Sequence, residues 1–184
     1  MAEEQLVFGQ TLEALFLKGL KGKLTPELLA QLRALGLDLE RPLLPAYTRQ
    51  AVHEFISLTA RTLFPTLPVS DAFYQVGKAV TPGQRTTFLG NAILTVVGLI
   101  GPHRSLERVA RTFRTTNNYM NVTLTRVAAS TYTLELEPSN EYPSYMQAVI
   151  EDILTVAGAK ELSVKVERHD PKTAHCTYRI TWAS

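Results

Sequence analysis

The spacing of apolar residues changes along this chain of 184 residues, and that change constrains the fold more than any other feature. Up to about residue 116, apolar side chains recur every three or four positions, the spacing of amphipathic helices. From Tyr119 onward, apolar and polar residues alternate and β-branched residues are frequent, as in strands. Helices followed by strands, rather than alternating with them, are typical of an α+β fold.

The strand-rich part predicts a sheet made of two hairpins. A helix over 143–157 lies between the hairpins, opening at Tyr142-Pro143 and closing at Gly158. The strands are expected near residues 119–127, 131–137, 162–168 and 174–182. We therefore predict a helical N-terminal part followed by a four-stranded antiparallel sheet of order β-β-α-β-β, with the 143–157 helix packed against it.

Start and stop signals mark several helices in the N-terminal part. Thr25 before Pro26 is a typical helix start, and Gly36 a typical end. Ser70 is predicted to cap a helix that begins near it. The run from Thr81 to Gln84 reads as a capping box for the apolar helix that follows.

That apolar helix has to be weighed as a membrane span. Residues 86–102 carry no charge, but the segment is shorter than the ~20 residues that a bilayer requires. It also contains Asn91 and Thr95. We expect a buried helix that ends at Gly101-Pro102, and no membrane span.

The next predicted helix, about residues 104–114, carries four arginines: Arg104, Arg108, Arg111 and Arg114. The first three are spaced to share one helix face, and the fourth is displaced by part of a turn. Such a face is suited to binding phosphate, carboxylate or an acidic partner. The alternative is a solvated surface, which Glu107 interrupts. No aromatic residues interleave with the arginines, so we expect no binding of nucleic acid.

Catalytic and metal chemistry find little support. The sequence has no Gly-x-Ser-x-Gly elbow and no phosphate-binding glycine loop. The one cysteine, Cys176, is expected inside a strand as a small buried residue and cannot form an internal disulfide. His169, Asp170 and His175 lie near it, but neighbouring strand residues face opposite sides, which disfavours a metal site. We expect no catalytic residues, no metal and no cofactor. The acidic start and the single cysteine favour a cytoplasmic location.

Several short stretches together resemble a known family. They are Gly101-Pro102-His103-Arg104-Ser105-Leu106, Arg114-Thr115-Thr116-Asn117-Asn118-Tyr119, Tyr142-Pro143-Ser144-Tyr145-Met146, Ala157-Gly158-Ala159 and Tyr178-Arg179-Ile180-Thr181-Trp182. The chain resembles, over nearly its whole length, a myxobacterial paralogous family of unassigned function. Most of these stretches look like turns, caps and core positions, so the resemblance identifies a family without identifying chemistry.

The order of elements also resembles the haem–nitric-oxide-binding-like fold, which includes 4-vinyl-reductase sensor domains and vesicle-tethering subunits. That resemblance implies a small-molecule pocket between helices and sheet, or a flat face for a partner. Haem-binding members use a proximal histidine and a Tyr-x-Ser-x-Arg clamp. Here Tyr142-x-Ser144-x-Met146 lacks the arginine, and His103 is either an axial ligand or part of a helix start. We expect no haem.

These patterns predict one domain over residues 1–184, with a helical part at 1–116 and the β-β-α-β-β part at 117–184. Our functional hypothesis is a non-enzymatic cytoplasmic binding or interaction domain with a regulatory role. It would associate as a homodimer or with a protein partner through a helical face of the N-terminal part. The alternative is a small-molecule sensor with an apolar pocket between helices and sheet, and an enzyme is the third possibility.

Overall fold

Helices and a four-stranded sheet form two packed layers in the computed structural model of this protein. It describes residues 4–139 and 142–183, without the side chains of residues 110, 112 and 114. The α+β class predicted from the sequence is confirmed, with the helical part first and the antiparallel sheet after it.

The N-terminal part contains a short ribbon and a run of helices. Strand β1 (Leu6–Phe8) pairs antiparallel with β2 (Ala46–Thr48). Helix α1 (Gly9–Leu12) continues directly into a π-helical stretch, Glu13–Gly19. The further helices are α2 (Pro26–Ala34), α3 (Arg49–Leu63), α4 (Val69–Gly77), α5 (Val80–Arg85) and α6 (Phe88–Thr112).

Two of the three predicted helix caps are wrong. The Thr25 hydroxyl does accept a hydrogen bond from the Leu28 amide at 3.2 Å. Pro68, however, is the N-cap of α4, and Ser70 lies inside that helix, where its hydroxyl donates a hydrogen bond to the Asp71 carboxylate. Thr81 to Gln84 lie inside α5, because the chain is already helical at Ala79 and Thr81 cannot adopt the extended conformation of an N-cap.

Helix α6 starts and bends at positions that its sequence explains. The Thr87 hydroxyl caps it by accepting a hydrogen bond from the Gly90 amide at 3.1 Å. Gly101, with φ 77° and ψ 170°, breaks the helix before Pro102, where a helix end was predicted. Among the described residues no single helix is long and apolar enough to cross a membrane. One bent pair, residues 69–85 with 88–109 at 97°, qualifies by length and composition.

The expectation that residues 86–102 form a buried helix is wrong in part. Leu94 and Val97 are buried, but Phe88 is 95% exposed and Leu99 82% exposed. The reason is that α6 packs on α5, on the sheet and on the helix at 143–156 along one side only. Over residues 88–99, the other side of α6 is uncharged and faces outward.

The C-terminal part forms the predicted sheet. Its strands are β3 (Asn121–Ala128), β4 (Thr131–Glu137), β5 (Lys160–Asp170) and β6 (His175–Ala183). They lie in the order β3-β4-β6-β5 and every neighbouring pair is antiparallel. Helix α7 (Pro143–Val156) packs against β5 on one side and α4 on the other. The inward sheet face is fully buried at Leu134, Leu136, Cys176, Tyr178 and Ile180.

A short segment before β3 ties the helical part to the sheet part. The Phe8 amide donates to the Thr116 carbonyl at 2.9 Å, and the Leu6 amide donates to the Asn118 side chain at 2.8 Å. The buried side-chain oxygen of Asn117 accepts hydrogen bonds from the Tyr119 and Met120 amides. These bonds satisfy backbone groups that would otherwise be unpaired where the chain changes from helix to strand.

Candidate functional site

A sizeable cavity lies between the helices of the N-terminal part and α7. Its volume is about 490 Å³. Most of the walls are apolar, and helices α6 and α7 supply much of the apolar surface through Ile93, Leu94, Val97, Val109, Val149 and Ile153. We refer to it below as the large cavity. Its size falls within the range of ~300–1,000 Å³ typical of small-molecule sites.

One wall of the large cavity is the π-helical stretch, held in place by α5. A methyl group built at Gly83 would overlap the Ala14 carbonyl oxygen, and one built at Gly19 would overlap the Ala79 carbonyl oxygen. Only glycine permits such close backbone approach at these two positions. Insertions of π-helix into α-helices occur frequently at functional sites.

The charged residues of the large cavity lie at its rim. Lys18 and Arg108 line the cavity and are exposed, and Glu13 lines it and is half-buried. Two apolar side chains, Phe88 and Leu89, also line the cavity while being 95% and 55% exposed. Among the described lining residues, the solvent-exposed part therefore combines apolar surface with two cations and one carboxylate.

A smaller cavity of about 120 Å³ adjoins the large one. The two share the lining residues Thr11, Gln84, Phe113, Thr116 and Val149. The volume corresponds to that of a few water molecules, at ~30 Å³ each in the liquid. The Thr11 hydroxyl, at the junction between the cavities, is buried and has no hydrogen-bond partner among the described residues.

Several polar groups of the smaller cavity are engaged in holding the fold together. The Arg49 guanidinium donates to the Gln5 side chain at 3.0 Å and to the Ser139 carbonyl at 2.9 Å, and it lies 5.5 Å from the Tyr119 ring centroid. The Tyr142 ring stacks on both His53 and Phe73. Burial raises the pKa of Tyr119, so this phenol stays neutral near pH 7.

The residues that resemble a haem site do not fit haem. The Nδ1 atom of His103 lies 3.0 Å from the Tyr132 hydroxyl, and its ring contacts the edge of Trp182 with centroids 4.9 Å apart. His103 lines neither cavity. Met146 is buried where the clamp would need an arginine, and Tyr142 is stacked between other rings. We therefore assign no step or function to haem in this chain.

Of the four arginines predicted to bind an anion, Arg108 lines the large cavity. Arg104 and Arg111 are exposed and line neither cavity, whereas Arg108 lies at the rim of the large cavity. The Arg114 side chain lies outside the described residues. Lys18, which sequence reasoning missed, lines the same cavity as Arg108 and is likewise exposed. No spacing signal joins these two residues, because they come from helices far apart in the sequence.

The described side chains around Cys176 do not form a group that could bind a metal ion. Cys176 is fully buried and burial raises the pKa of its thiol, as expected for a small core residue. The His175 ring lies on the other side of the strand, with its Nε2 atom 3.8 Å from the Glu135 carboxylate. Across the part of the chain that the structure describes, no three His, Cys, Asp or Glu side chains are grouped to hold a metal ion.

Solved H-NOX proteins have a fold similar to that of this chain. A structure described as "Probing the function of heme distortion in the H-NOX family" has a TM-score of 0.65 at 13% identity, covering 96% of this chain and 95% of that one. The Fe(II) unliganded H-NOX protein from K. algicida has a TM-score of 0.57 at 12% identity, with 95% of each chain covered. A mutant of the T. Tengcongensis H-NOX protein has 0.56 at 13%, covering 85% and 87%. The resemblance to the haem–nitric-oxide-binding-like fold is confirmed.

Sequence comparison identifies the family but no chemistry. No curated protein shows significant sequence similarity to this chain. Identities of 12–13% to these H-NOX structures show a shared fold alone. The model of the family described as "Protein of unknown function (DUF2378)" matches residues 5–183, and the chain therefore belongs to that family.

Proposed function

We propose that this chain is a non-enzymatic ligand-binding domain of the sensor type, which binds a small, largely apolar molecule in the large cavity. The observation that carries this proposal is the apolar chamber of about 490 Å³ between α6, α7 and the π-helical stretch. Apolar pockets with a few polar groups are the usual form of small-molecule sites. The H-NOX-like fold supports a sensor role.

The lining offers recognition groups rather than a catalytic set. Its described titratable side chains are Glu13, Lys18 and Arg108, all at least partly open to solvent. No histidine or cysteine is among them. Binding would therefore come from burial of apolar surface, at roughly 25 cal/mol per Å².

A cavity-filling variant tests the proposal. Ile93 lines the large cavity and is half-buried, so Ile93→Trp places an indole in the chamber. Leu99→Trp adds the same indole to the exposed side of α6 and serves as the matched control. The measurement is titration with the uncharged, environment-sensitive dye prodan. We expect saturable binding to the wild type and to Leu99→Trp, and at least about tenfold weaker binding to Ile93→Trp. Equal binding to all three proteins would overturn the proposal.

A second candidate, contact with another copy of this chain, is favoured by the outward side of α6. Phe88, Ala92, Thr95 and Leu99 follow one another along this side, all exposed and uncharged. An uncharged face can pair with itself without like-charge repulsion, and two-fold dimers are the commonest assembly. Light scattering tests it: a dimer has twice the 20.4 kDa mass of the chain, and Leu99→Glu should return it to the monomer. A wild-type mass of 20.4 kDa that dilution does not change contradicts a dimer.

A further inference from the structure

We propose that the ligand of the large cavity is an amphipathic monoanion, such as a long-chain carboxylate, whose anionic end lies at the rim beside Lys18 and Arg108. This inference rests on the proposed function and specifies the chemical class of its ligand. It assigns a binding role to one predicted arginine, Arg108, and adds Lys18 to it.

The division of the lining into an apolar chamber and a charged rim carries the inference. The deeper walls at Leu94, Val97 and Val109 are buried and apolar. The two cations that line the cavity are exposed, so their charges lie where the chamber meets water. A charge inside the chamber would lose its hydration without a partner, which is costly. A ligand with an apolar body and a charge at one end matches both regions.

The sign of the ligand charge follows from the groups at the rim. Lys18 and Arg108 outnumber the one carboxylate, Glu13, among the described charged residues of the lining. The first turn of α6, from Thr87 to Gly90, also borders the cavity. A helix N-terminus carries a partial positive charge, so α6 adds to the preference for an anion. The Glu13 carboxylate repels an anion. Its removal should therefore strengthen anion binding, whereas removal of Lys18 or Arg108 should weaken it.

Head-group selectivity tests the inference with three ten-carbon probes: decanoate, decyltrimethylammonium and 1-decanol. Binding to the folded chain is measured by isothermal titration calorimetry at low ionic strength, below micelle-forming concentrations. We expect decanoate to bind about tenfold tighter than decyltrimethylammonium, with 1-decanol between them, and the difference to shrink as salt is added.

Single substitutions then test which residues cause the preference for decanoate. Lys18→Gln and Arg108→Gln should each weaken decanoate binding by about two- to fivefold, the size expected for an exposed ion pair, and leave 1-decanol unchanged. Glu13→Gln should strengthen decanoate binding. Arg104→Gln is the matched control, since it removes one cation from the same helix away from the cavity.

The outcomes separate this inference from the function on which it rests. Equal affinity for the three probes, or a preference for decyltrimethylammonium, overturns the monoanion and leaves an apolar ligand site. Loss of decanoate affinity in Arg104→Gln equal to that in Arg108→Gln also overturns it, because the rim would then have no special role. If none of the probes binds the wild type, the proposed function fails together with the inference.

Discussion

A methyl group added at Gly83 should destabilise the chain, because α5 and the π-helical stretch touch there through their backbones. The new Cβ atom would overlap the Ala14 carbonyl oxygen and crowd the Gly19 amide nitrogen. Neither is the end of a flexible side chain, so the clash can be relieved only by moving one helix away from the other. Overpacking costs ~1–3 kcal/mol, and a clash between backbones belongs at the upper end of that range.

The net effect of Gly83→Ala includes a smaller gain. Replacing glycine by alanine inside a helix stabilises by ~0.5–1 kcal/mol. Subtracting this gain from the overpacking cost leaves a loss of about 2 kcal/mol in the free energy of unfolding. For a chain of this size, that loss lowers Tm by about 4–8 °C. Thermal and urea unfolding monitored by circular dichroism measure both quantities.

Gly98→Ala is the matched control. Gly98 is exposed within α6, and its added methyl group would lie 3.5 Å from the Val156 carbonyl oxygen, which is an ordinary contact. We expect this variant to be more stable than the wild type by ~0.5–1 kcal/mol. The reasoning is refuted if Gly83→Ala is as stable as the wild type, or if both substitutions change stability in the same direction.

Three further predictions follow from buried or bonded polar groups. Asn117→Ala leaves the Tyr119 and Met120 amides without their side-chain acceptor. Urea unfolding should therefore show a loss of about 1–3 kcal/mol in the free energy of unfolding. A loss below about 0.5 kcal/mol, roughly the scale of a neutral surface change, contradicts this prediction. Tyr74 donates to the Glu151 carboxylate, and desolvation together with that bond raises its pKa to about 12. Because this folded-state pKa exceeds the unfolded value of ~10, the stability that Tyr74 contributes is complete below about pH 10 and lost as the pH rises to about 12. Tyr74→Phe should therefore reduce the alkaline fall in stability, and an unchanged pH profile counts against the assignment. The buried Cys176 thiol, whose pKa burial raises, should react with Ellman's reagent only in denaturant, whereas rapid reaction of the native protein would show that the sheet face is open.

The sheet part was predictable because its signals are local. Two-residue periodicity fixes which strand residues face inward, and Leu134, Leu136, Tyr178 and Ile180 are all buried as that periodicity requires. Gly158, with φ 86°, ends α7 where a glycine was expected. The burial of α7 depends on tertiary packing. Tyr145, Met146, Val149, Ile150 and Leu154 are all buried, because the helix is covered by the sheet on one side and by α4 on the other.

The large cavity could not be predicted in the same way. Its wall depends on a π-helical stretch, and the apolar spacing of Leu12, Leu15, Phe16 and Leu20 is compatible with an ordinary α-helix. Hydropathy marks residues 86–102 as apolar without showing that only one side of α6 is covered. Lys18 and Arg108 lie 90 positions apart in the sequence, and only tertiary structure brings them to the lining of one cavity.

A crystal structure of the chain with 11-bromoundecanoate tests the central claim most directly, because bromine gives an anomalous signal that marks the ligand's apolar end. We predict a bromine peak inside the large cavity, in van der Waals contact with Leu94 or Val97, and the carboxylate at the rim near Lys18 and Arg108. A bromine site elsewhere on the molecule, or a chamber closed by inward rotation of Phe88 and Leu89, would contradict the assignment of this cavity as the ligand site.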